Sequence, residues 1–284
     1  TTSTYEDLVI KAEASNGQDV VSKVVNACVL GATQSESRPA GAKEGVTVNG
    51  DEATFVLFAP GKQSVSLLAD FNDFSITNRH LMKKDGDYFW TSVSGLEANT
   101  EYAYQYLVDG KIKVGDPYST KILDPWNDKW INQYTTIYPN LREYPADKAT
   151  DVLSVFTTST TPVYTWTVNN FQGVNYNQLA VYELCLRDFT TERSIEAARQ
   201  KLSYLKGLGV NAIELMPVQE FDGNNSWGYN PCFYFAPDKA YGDEAAYKRF
   251  IDECHQQGIA VILDVVFNHA TGQFLWAKMW WDGD

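Results

Sequence analysis

The amino-acid sequence predicts two folded parts, an antiparallel β-sandwich followed by a parallel α/β unit. The sandwich is indicated by short runs of β-branched and aromatic residues that alternate with polar residues from Gly45 onward. The α/β unit is indicated by a strand, helix, strand, loop, helix, strand pattern that begins at Gln178. Such a pattern can begin either a (β/α)₈ barrel or a doubly wound sheet.

The N-terminal half carries the sandwich signals. Residues 1–44 form a polar segment rich in Ala, Ser and Gly, with one possible strand at 24–30. Asp109 and Gly110 lie between apolar flanks, which is a strong hairpin signal because both residues tolerate positive φ. We therefore assign residues 45–140 to an immunoglobulin-like β-sandwich and residues 141–177 to linker strands. Its strand-like runs are ATFVLFAP, SVSLLAD, DYFWTSV and EYAYQYLV.

Two helices are predicted within residues 178–284. The first has Thr191 as a possible N-cap and Gly209 as its end, and the second begins after Asp243 and ends at Gly258. Each helix repeats its apolar residues on one face, as an amphipathic helix packed on a sheet does. The faces are Ile195, Ala198, Leu202, Leu205 and Leu208 in the first helix, and Tyr247, Phe250, Ile251 and Cys254 in the second.

Polar residues follow the three predicted strands of this half, at 179–186, 211–217 and 259–267. In parallel α/β folds, ligands bind beyond the carboxyl ends of the strands, so these residues predict a site of unspecified chemistry. Asp264 lies inside the third predicted strand and needs a partner, because burying an unpaired carboxylate costs several kcal/mol. The strand-end residues are Arg187, Asp188, Glu220, Asp222, Asn268 and His269.

The bulk composition excludes several classes of partner. A net charge of −13 over 284 residues repels nucleic acid and anionic lipid and fits a neutral partner. No apolar run reaches the roughly 18 residues of a membrane span, so we expect no membrane-spanning segment. The four cysteines lack metal-type spacing, and Cys185 and Cys254 are interpreted as buried thiols. The compartment stays open, with secretion or the periplasm favoured over the cytoplasm.

Four stretches of the α/β half, in order, resemble a known family. They are VYELCLRDF, GVNAIELMPV, SWGYNPCFYFAPDKAYG and DVVFNH. The set is similar to the α-amylase superfamily of glycoside hydrolases (family 13), on its pullulanase, isoamylase and branching-enzyme side. The sandwich, with ADFNDF, GDYFWTSV and YQYLVDG, resembles the isoamylase-type early-set domain related to family 48 carbohydrate-binding modules. The resemblance covers about residues 45–140 and 178–284, and it implies an early-set sandwich followed by about three units of a (β/α)₈ barrel.

The resemblance also implies roles for individual residues. Tyr229 and His269 match positions that line the subsite of the sugar to be cleaved, and Asp264 matches an aspartate that helps to hold that site. Trp227, in the same loop as Tyr229, is counted with these substrate-binding residues. Asn268 matches a position that binds calcium in many members, so calcium is possible and no other cofactor is required. Calcium prefers 6–8 oxygen ligands, of which Asn268 would supply one.

Several of these residues have purely structural alternatives. Tyr229 could pack on Phe233 or Phe235, His269 could be a strand-end histidine with satisfied hydrogen bonds, and Asn268 could form a turn. In the sandwich, Trp90 alternates with Phe89 and is interpreted as core. Trp126 and Trp130 could either grip a glucan or pack the sandwich onto the barrel.

The catalytic carboxylates of the family are not expected in this chain. Retaining glycosidases use two carboxyl groups about 5–5.5 Å apart, and in this superfamily they follow the fourth and fifth barrel strands. Glu183 and Glu214 lie within predicted strands and are interpreted as structural, so the nucleophile and the acid are expected beyond Asp284. We therefore expect the N-terminal part of a longer α-glucan hydrolase, inactive alone, whose remaining barrel comes from a missing C-terminal part.

The resemblance leaves the reaction of that longer protein open among several alternatives. Hydrolysis of α-1,4 links in starch, glycogen or malto-oligosaccharides is expected first. Debranching at α-1,6 links, glucan branching and trehalose release are the alternatives within the family. A non-catalytic α-glucan-binding protein is the alternative from another class. In every case the expected partner is an α-glucan.

Overall fold

The computed structural model describes residues 7–281, with the side chains of residues 7–10 and 23–27 outside the description. The ends of the predicted N-terminal segment and of the predicted barrel part, residues 1–6 and 282–284, also lie outside the described residues. Asp284 is one of these undescribed residues. The expectation that the nucleophile and the acid lie beyond Asp284 therefore stays a prediction. The described chain forms an N-terminal hairpin, a two-sheet sandwich, a three-stranded parallel sheet and a two-stranded ribbon.

The N-terminal hairpin consists of β1 (Asp7–Ser15) and β2 (Val20–Cys28), which pair antiparallel. The turn between them is closed by the side chain of Asn16, which accepts backbone hydrogen bonds of 2.9 and 2.8 Å from Gln18 and Asp19. The strand predicted at 24–30 is therefore longer and begins earlier. Its partner β1 was not predicted from the sequence.

The sandwich is made of two antiparallel sheets around one apolar core. Its strands are β3 (Gly45–Asn49), β4 (Glu52–Phe58), β5 (Val65–Ala69), β6 (Lys83–Asp85), β7 (Tyr88–Val93), β8 (Glu101–Val108), β9 (Ile112–Val114), β10 (Ile122–Leu123) and β11 (Leu153–Thr157). One sheet has the order β3-β4-β7-β6 and the other β10-β11-β8-β5, with β9 paired to β8. Strand β11 lies beyond residue 140, so part of the stretch assigned to linker strands belongs to the sandwich.

Local signals in the sandwich act as the sequence predicts. Asp109 and Gly110 have φ angles of 50° and 66°, and they connect β8 to β9 as a tight hairpin turn. The Asp109 carboxylate also accepts backbone hydrogen bonds from Gln63 and Ser64, which ties the turn to the start of β5. Trp90 is buried and its indole N–H donates to the Glu36 carbonyl at 2.8 Å, which confirms it as a core residue.

The C-terminal half is built on a three-stranded parallel sheet, as predicted. Strands β12 (Val181–Leu184), β13 (Ala212–Leu215) and β16 (Ala260–Leu263) pair in the order β12-β13-β16. An antiparallel ribbon of β14 (Gln219–Phe221) and β15 (Pro231–Pro237) follows β13. Asp264 stands directly after β16 rather than inside it, so the prediction of a carboxylate within the strand was wrong. Its backbone N–H still donates to Leu215 O at 2.9 Å.

The first predicted helix is divided into short pieces. After α1 (Leu186–Phe189), the chain forms α2 (Ile195–Arg199) and α3 (Leu202–Gly207). The N-cap is Ser194, whose hydroxyl accepts from Ala197 N at 3.2 Å, so the assignment to Thr191 was wrong. The extended backbone of Ser194 aims its side chain into the first turn. Gly209 ends the segment at φ 86° as predicted, whereas Leu208 is 58% exposed and lies off the apolar face.

The second predicted helix, α4 (Glu244–Gln256), is confirmed at both ends. The Asp243 carboxylate accepts from Ala246 N at 2.7 Å, and Gly258 follows the helix at φ 70°. Cys254 is buried on its inner face, as predicted for a thiol of the core. With 13 residues, α4 is the longest helix between residues 7 and 281, and none there is long and apolar enough to cross a bilayer.

The two halves share apolar contacts. The last helix, α5 (Leu275–Trp280), packs Leu275 and Met279 into the core of the sandwich. On the other side, Phe233 of β15 packs with Ile122 of β10. These contacts hold the parallel sheet in a defined position against the sandwich.

Candidate functional site

The carboxyl ends of β12, β13 and β16 form one edge of the parallel sheet, called here the strand-end edge. Three predicted site residues meet there. The Tyr229 hydroxyl donates to Asp264 Oδ2 at 2.6 Å, and His269 Nε2 lies 2.6 Å from the Tyr229 carbonyl oxygen. Because a carbonyl oxygen can only accept, His269 donates this hydrogen bond through Nε2–H. The sequence placed these residues in one site, and the structure brings them into direct contact.

The electrostatics of the strand-end edge keep Tyr229 protonated. Its hydrogen bond to Asp264, together with partial desolvation, raises the pKa of Tyr229 to about 12. Glu183 and Glu214 add to this rise, and they face one another across β12 and β13 in the parallel register. These two carboxylates, which the sequence suggested were structural, therefore contribute to the potential of the site. At neutral pH Tyr229 acts as a hydrogen-bond donor and not as a base.

The loop that presents Tyr229 is fixed by its own backbone. Gly228 has φ 90°, and a Cβ at this position would lie 2.1 Å from the Pro217 carbonyl oxygen, so only glycine fits. The Ser226 hydroxyl accepts from Gly228 N at 2.9 Å, and Tyr241 donates to the Ser226 carbonyl at 3.0 Å. The backbone that carries the aromatic residues on either side of Gly228 is consequently held in a defined position.

Trp227 stands at the strand-end edge in contact with a charged pair. Its indole is 57% exposed, and the Arg187 guanidinium lies 5.4 Å from the ring centroid. Arg187 also donates two hydrogen bonds to Asp188, at 2.8 and 2.7 Å. The bonds from Arg187 lower the pKa of Asp188 to about 2, so this carboxylate stays ionised. Sequence reasoning named Arg187 and Asp188 as strand-end residues but not as partners of Trp227.

Glu220 does not belong to the strand-end edge, which corrects its prediction as a strand-end residue of the site. It is buried where the sandwich meets the parallel sheet, within an ionic cluster of Asp128, Glu220, Asp238 and Lys239. Lys239 Nζ lies 2.5 Å from Glu220 and 3.2 Å from Asp128. The ribbon of β14 and β15 turns Glu220 toward this junction. Asp222, one residue beyond β14, stays exposed and accepts from Gln273 at 2.8 Å.

Comparison with known proteins adds to this geometry. Residues 43–127 match the model of carbohydrate-binding module 48, the isoamylase N-terminal domain, and residues 195–282 match that of the alpha amylase catalytic domain. Both regions of the chain are thus similar to parts of enzymes of the α-amylase superfamily, glycoside hydrolase family 13. The resemblance inferred from DVVFNH and WGYNP is thereby confirmed at the level of the family.

Individual members of the superfamily match over most of the chain. A malto-oligosyltrehalose trehalohydrolase of Saccharolobus solfataricus is 30% identical over 228 residues, covering 79% of this chain and 34% of that protein. A 1,4-alpha-glucan branching enzyme of Pseudoalteromonas atlantica is 28% identical, with 76% and 28% covered. The solved structure of the Group B Streptococcus pullulanase SAP has a TM-score of 0.60 at 25% identity, covering 81% and 34%. The chain spans about a third of the length of these relatives.

The structural alternatives for the site residues can be compared with the observed contacts. Tyr229 binds Asp264, whereas Phe233 packs at the junction and Phe235 stacks on Tyr118 at 5.4 Å. The described residues contain no group of three or more His, Cys, Asp or Glu side chains that could hold a metal ion. Asn268 is exposed, and as one amide oxygen it would supply a single ligand of the 6–8 that calcium prefers. Calcium at Asn268 therefore stays a prediction.

Proposed function

We propose that this chain is the N-terminal part of a retaining glycoside hydrolase that acts on α-glucans. In this proposal the early-set sandwich is followed by the first three units of a (β/α)₈ barrel, and the missing C-terminal part completes the barrel. The observation that carries the proposal is the contact among Tyr229, Asp264 and His269 at the strand-end edge. Similarity to enzymes of the α-amylase superfamily supports it.

In this proposal the strand-end edge binds and orients one sugar unit. Tyr229 presents its ring while its hydroxyl is engaged by Asp264 Oδ2, which leaves Asp264 Oδ1 to accept from a sugar hydroxyl. His269 donates through Nε2 to the Tyr229 carbonyl, so its Nδ1 is the ring atom left to hydrogen-bond with the sugar. Cleavage itself needs two carboxyl groups about 5–5.5 Å apart, which we place in the part of the barrel that follows Asp284.

The substrate proposed first is the α-1,4 linkage of starch, glycogen or malto-oligosaccharides. Debranching and glucan branching are alternatives, since a pullulanase and a branching enzyme are among the similar proteins. A specific second candidate is trehalose release, because a malto-oligosyltrehalose trehalohydrolase is 30% identical over 79% of this chain.

Two further proposals concern the compartment and a metal. We propose that the protein is exported and that calcium, if it is used, binds at Asn268.

The proposed function is tested with the full natural protein that carries this chain. Maltoheptaose, pullulan and a malto-oligosyltrehalose are incubated separately with the enzyme, and the products are followed by proton NMR from the first minutes. We expect cleavage of one of them with the new reducing end appearing first as the α-anomer. A first product in the β-anomer would contradict retention. Glucan binding without any cleavage would favour the non-catalytic alternative, and hydrolysis by residues 1–284 alone would show that the catalytic carboxylates lie inside this chain.

A further inference from the structure

We propose that Tyr234 of β15 is the positioning residue for His269 and that the sandwich supports the proposed sugar site through it. The inference rests on the proposed function, because it assumes that His269 contacts a sugar unit. It adds a residue of the antiparallel ribbon to a site whose other members follow β16 or lie in the loop before β15.

The backbone of His269 is held by the Tyr234 hydroxyl. Tyr234 donates to the His269 carbonyl oxygen at 3.1 Å. Burial raises the pKa of Tyr234, so its hydroxyl remains a donor at neutral pH. The imidazole of His269 donates through Nε2–H to the Tyr229 carbonyl at 2.6 Å. Strand β15 and the loop before it therefore hold His269 twice, the main chain through Tyr234 and the ring through Tyr229.

The loop that carries His269 is tied to the ribbon at two further points. The backbone N–H of Thr271 donates to the Pro231 carbonyl at 3.0 Å. Gln273 Nε2 donates to Asp222 Oδ1 at 2.8 Å. These two bonds fix the loop on the C-terminal side of His269, whereas the bond from Tyr234 is made at the histidine itself. Loss of the Tyr234 bond would therefore displace the histidine while the rest of the loop stays attached.

The Tyr234 ring contacts two aromatic side chains of the same loop. Its centroid lies 5.4 Å from that of Phe267 and 4.9 Å from that of Phe274, with interplanar angles of 77° and 54°. Phe267 precedes His269 in the chain and Phe274 follows it. Aromatic pairs at such distances add to the energy of apolar burial. They restrict the direction of the Tyr234 hydroxyl before any ligand arrives.

The same packing connects His269 to the sandwich. Phe274 is 5% exposed and belongs to one apolar cluster with core residues of the sandwich such as Tyr104. Tyr234 and Ala270 pack against this cluster. Since Ala270 directly follows His269, the cluster supports both the residue that holds the histidine and its neighbour in the chain. In this account the sandwich is part of the support of the sugar site.

The test is a double-mutant cycle on the full natural protein with maltoheptaose as substrate. The kcat/KM values are measured for wild type, Y234F, Y234L, H269A and the double variants Y234F/H269A and Y234L/H269A. We expect Y234F to lower kcat/KM about three- to tenfold, because it removes one hydrogen bond and keeps the ring. Y234L should lower it further, since the aromatic contacts are lost as well. In the H269A background both substitutions should change kcat/KM less than about twofold, because Tyr234 acts through His269.

A matched control and the outcomes separate the two proposals. Y144F removes the same kind of bond, since Tyr144 donates to the Asp151 carbonyl at 2.5 Å in the sandwich, and should leave kcat/KM within about twofold of wild type. If wild type cleaves no α-glucan, the proposed function fails and the role of Tyr234 fails with it. If wild type is active but Y234F matches it, or lowers kcat/KM equally with and without His269, the positioning role alone is overturned. Thermal unfolding shows which variants are folded at the assay temperature, and Y234F decides the test if Y234L is not.

Discussion

The ionic cluster at the junction and the strand-end edge are both built from charged and polar residues, yet burial separates them. In the ionic cluster, Glu220, Asp238 and Lys239 are all at most 5% exposed, and Lys239 pairs with Glu220 and Asp128 inside the protein. At the strand-end edge, Tyr229 and Asp264 contact each other but keep access to solvent. We therefore expect the ionic cluster to stabilise the fold and the strand-end edge to be available to a ligand.

The ionic cluster depends on a single cation. Burial alone would lower the pKa of Lys239, but the carboxylates of Glu220, Asp128 and Asp238 outweigh this and raise it. Asp238 is further tied down by backbone hydrogen bonds from Phe221 and Ala240, at 3.1 and 2.8 Å. The charge of Lys239 therefore compensates carboxylates from both halves of the molecule.

The largest effect is expected on removing that cation. K239M should lower the free energy of unfolding by about 3–5 kcal/mol, because it leaves buried carboxylates without a counter-charge. Equilibrium urea unfolding of the chain measures the loss. K248M is the matched control, since Lys248 forms an exposed pair with Glu244 one helical turn away and should cost only about 0.3–0.5 kcal/mol. Similar losses in both variants would mean that the cluster is not a stabilising element.

The next effect concerns activity and not stability. Y229F removes the hydroxyl that donates to Asp264 and should lower kcat/KM of the full protein on its glucan substrate by about ten- to a hundredfold. The free energy of unfolding should change by about 0.5 kcal/mol or less, because the group is near the surface. A loss of stability comparable to that of K239M, with activity retained, would reverse the roles of the two regions.

A buried carboxylate of the sandwich gives a pH-dependent test. Asp116 is fully buried and accepts from Tyr104 and Tyr106, and burial raises its pKa to about 6. The folded state thus binds more protons than the unfolded state between about pH 4 and 6, so the stability from this group is present below pH 4 and lost as the pH rises through 6. Relative to D116N, wild type should lose on the order of 1 kcal/mol or more between pH 4 and 7.

The opposite pH dependence of the free energy of unfolding is expected for a carboxylate at the strand-end edge. The bonds from Arg187 lower the pKa of Asp188 to about 2, so its contribution is present above about pH 4 and lost as the pH falls toward 2. Unfolding free energies of wild type and D188N between pH 2 and 7 measure this. For each variant, the difference in unfolding free energy from wild type is plotted against pH. If these differences changed in the same direction for D116N and D188N, the distinction between buried and exposed carboxylates would be contradicted.

The smallest effect is expected for the exposed tryptophans of the sandwich. Trp130 is 53% exposed, so W130A should change the free energy of unfolding by about 0.5 kcal/mol or less. W90A, which empties a buried position and removes the bond to Glu36, should cost about 3–5 kcal/mol in the same assay. A large loss in W130A would show that this ring packs the sandwich against the rest of the molecule.

Local and short-range features of the fold were predictable from the sequence. The turn at Asp109 and Gly110, the N-cap at Asp243 and the parallel direction of the three strands each depend on a few neighbouring residues or on the alternation of strands and helices. The residues of the strand-end edge were also named, because two sequence motifs carry Tyr229, Asp264 and His269. Their resemblance to a family could be recognised before any contact was known.

Features that depend on distant pairing were not predictable. Glu220 follows β13 closely, but the pairing of β14 with β15 turns it into the junction, where it meets Lys239. Ser194 replaces Thr191 as the N-cap because both are capable residues and only the path of the loop selects one. The contact of Arg187 with Trp227 joins positions 40 residues apart and leaves no periodic signal in the sequence.

The most direct test of the account pairs two measurements on H269A in the full natural protein. The account predicts that kcat/KM for maltoheptaose falls at least about tenfold, because a hydrogen-bonding group at the sugar site is lost. It also predicts that the free energy of unfolding changes by less than about 1 kcal/mol, because His269 is exposed at the strand-end edge. Unchanged kcat/KM together with a marked loss of stability would contradict the assignment of this edge to substrate binding.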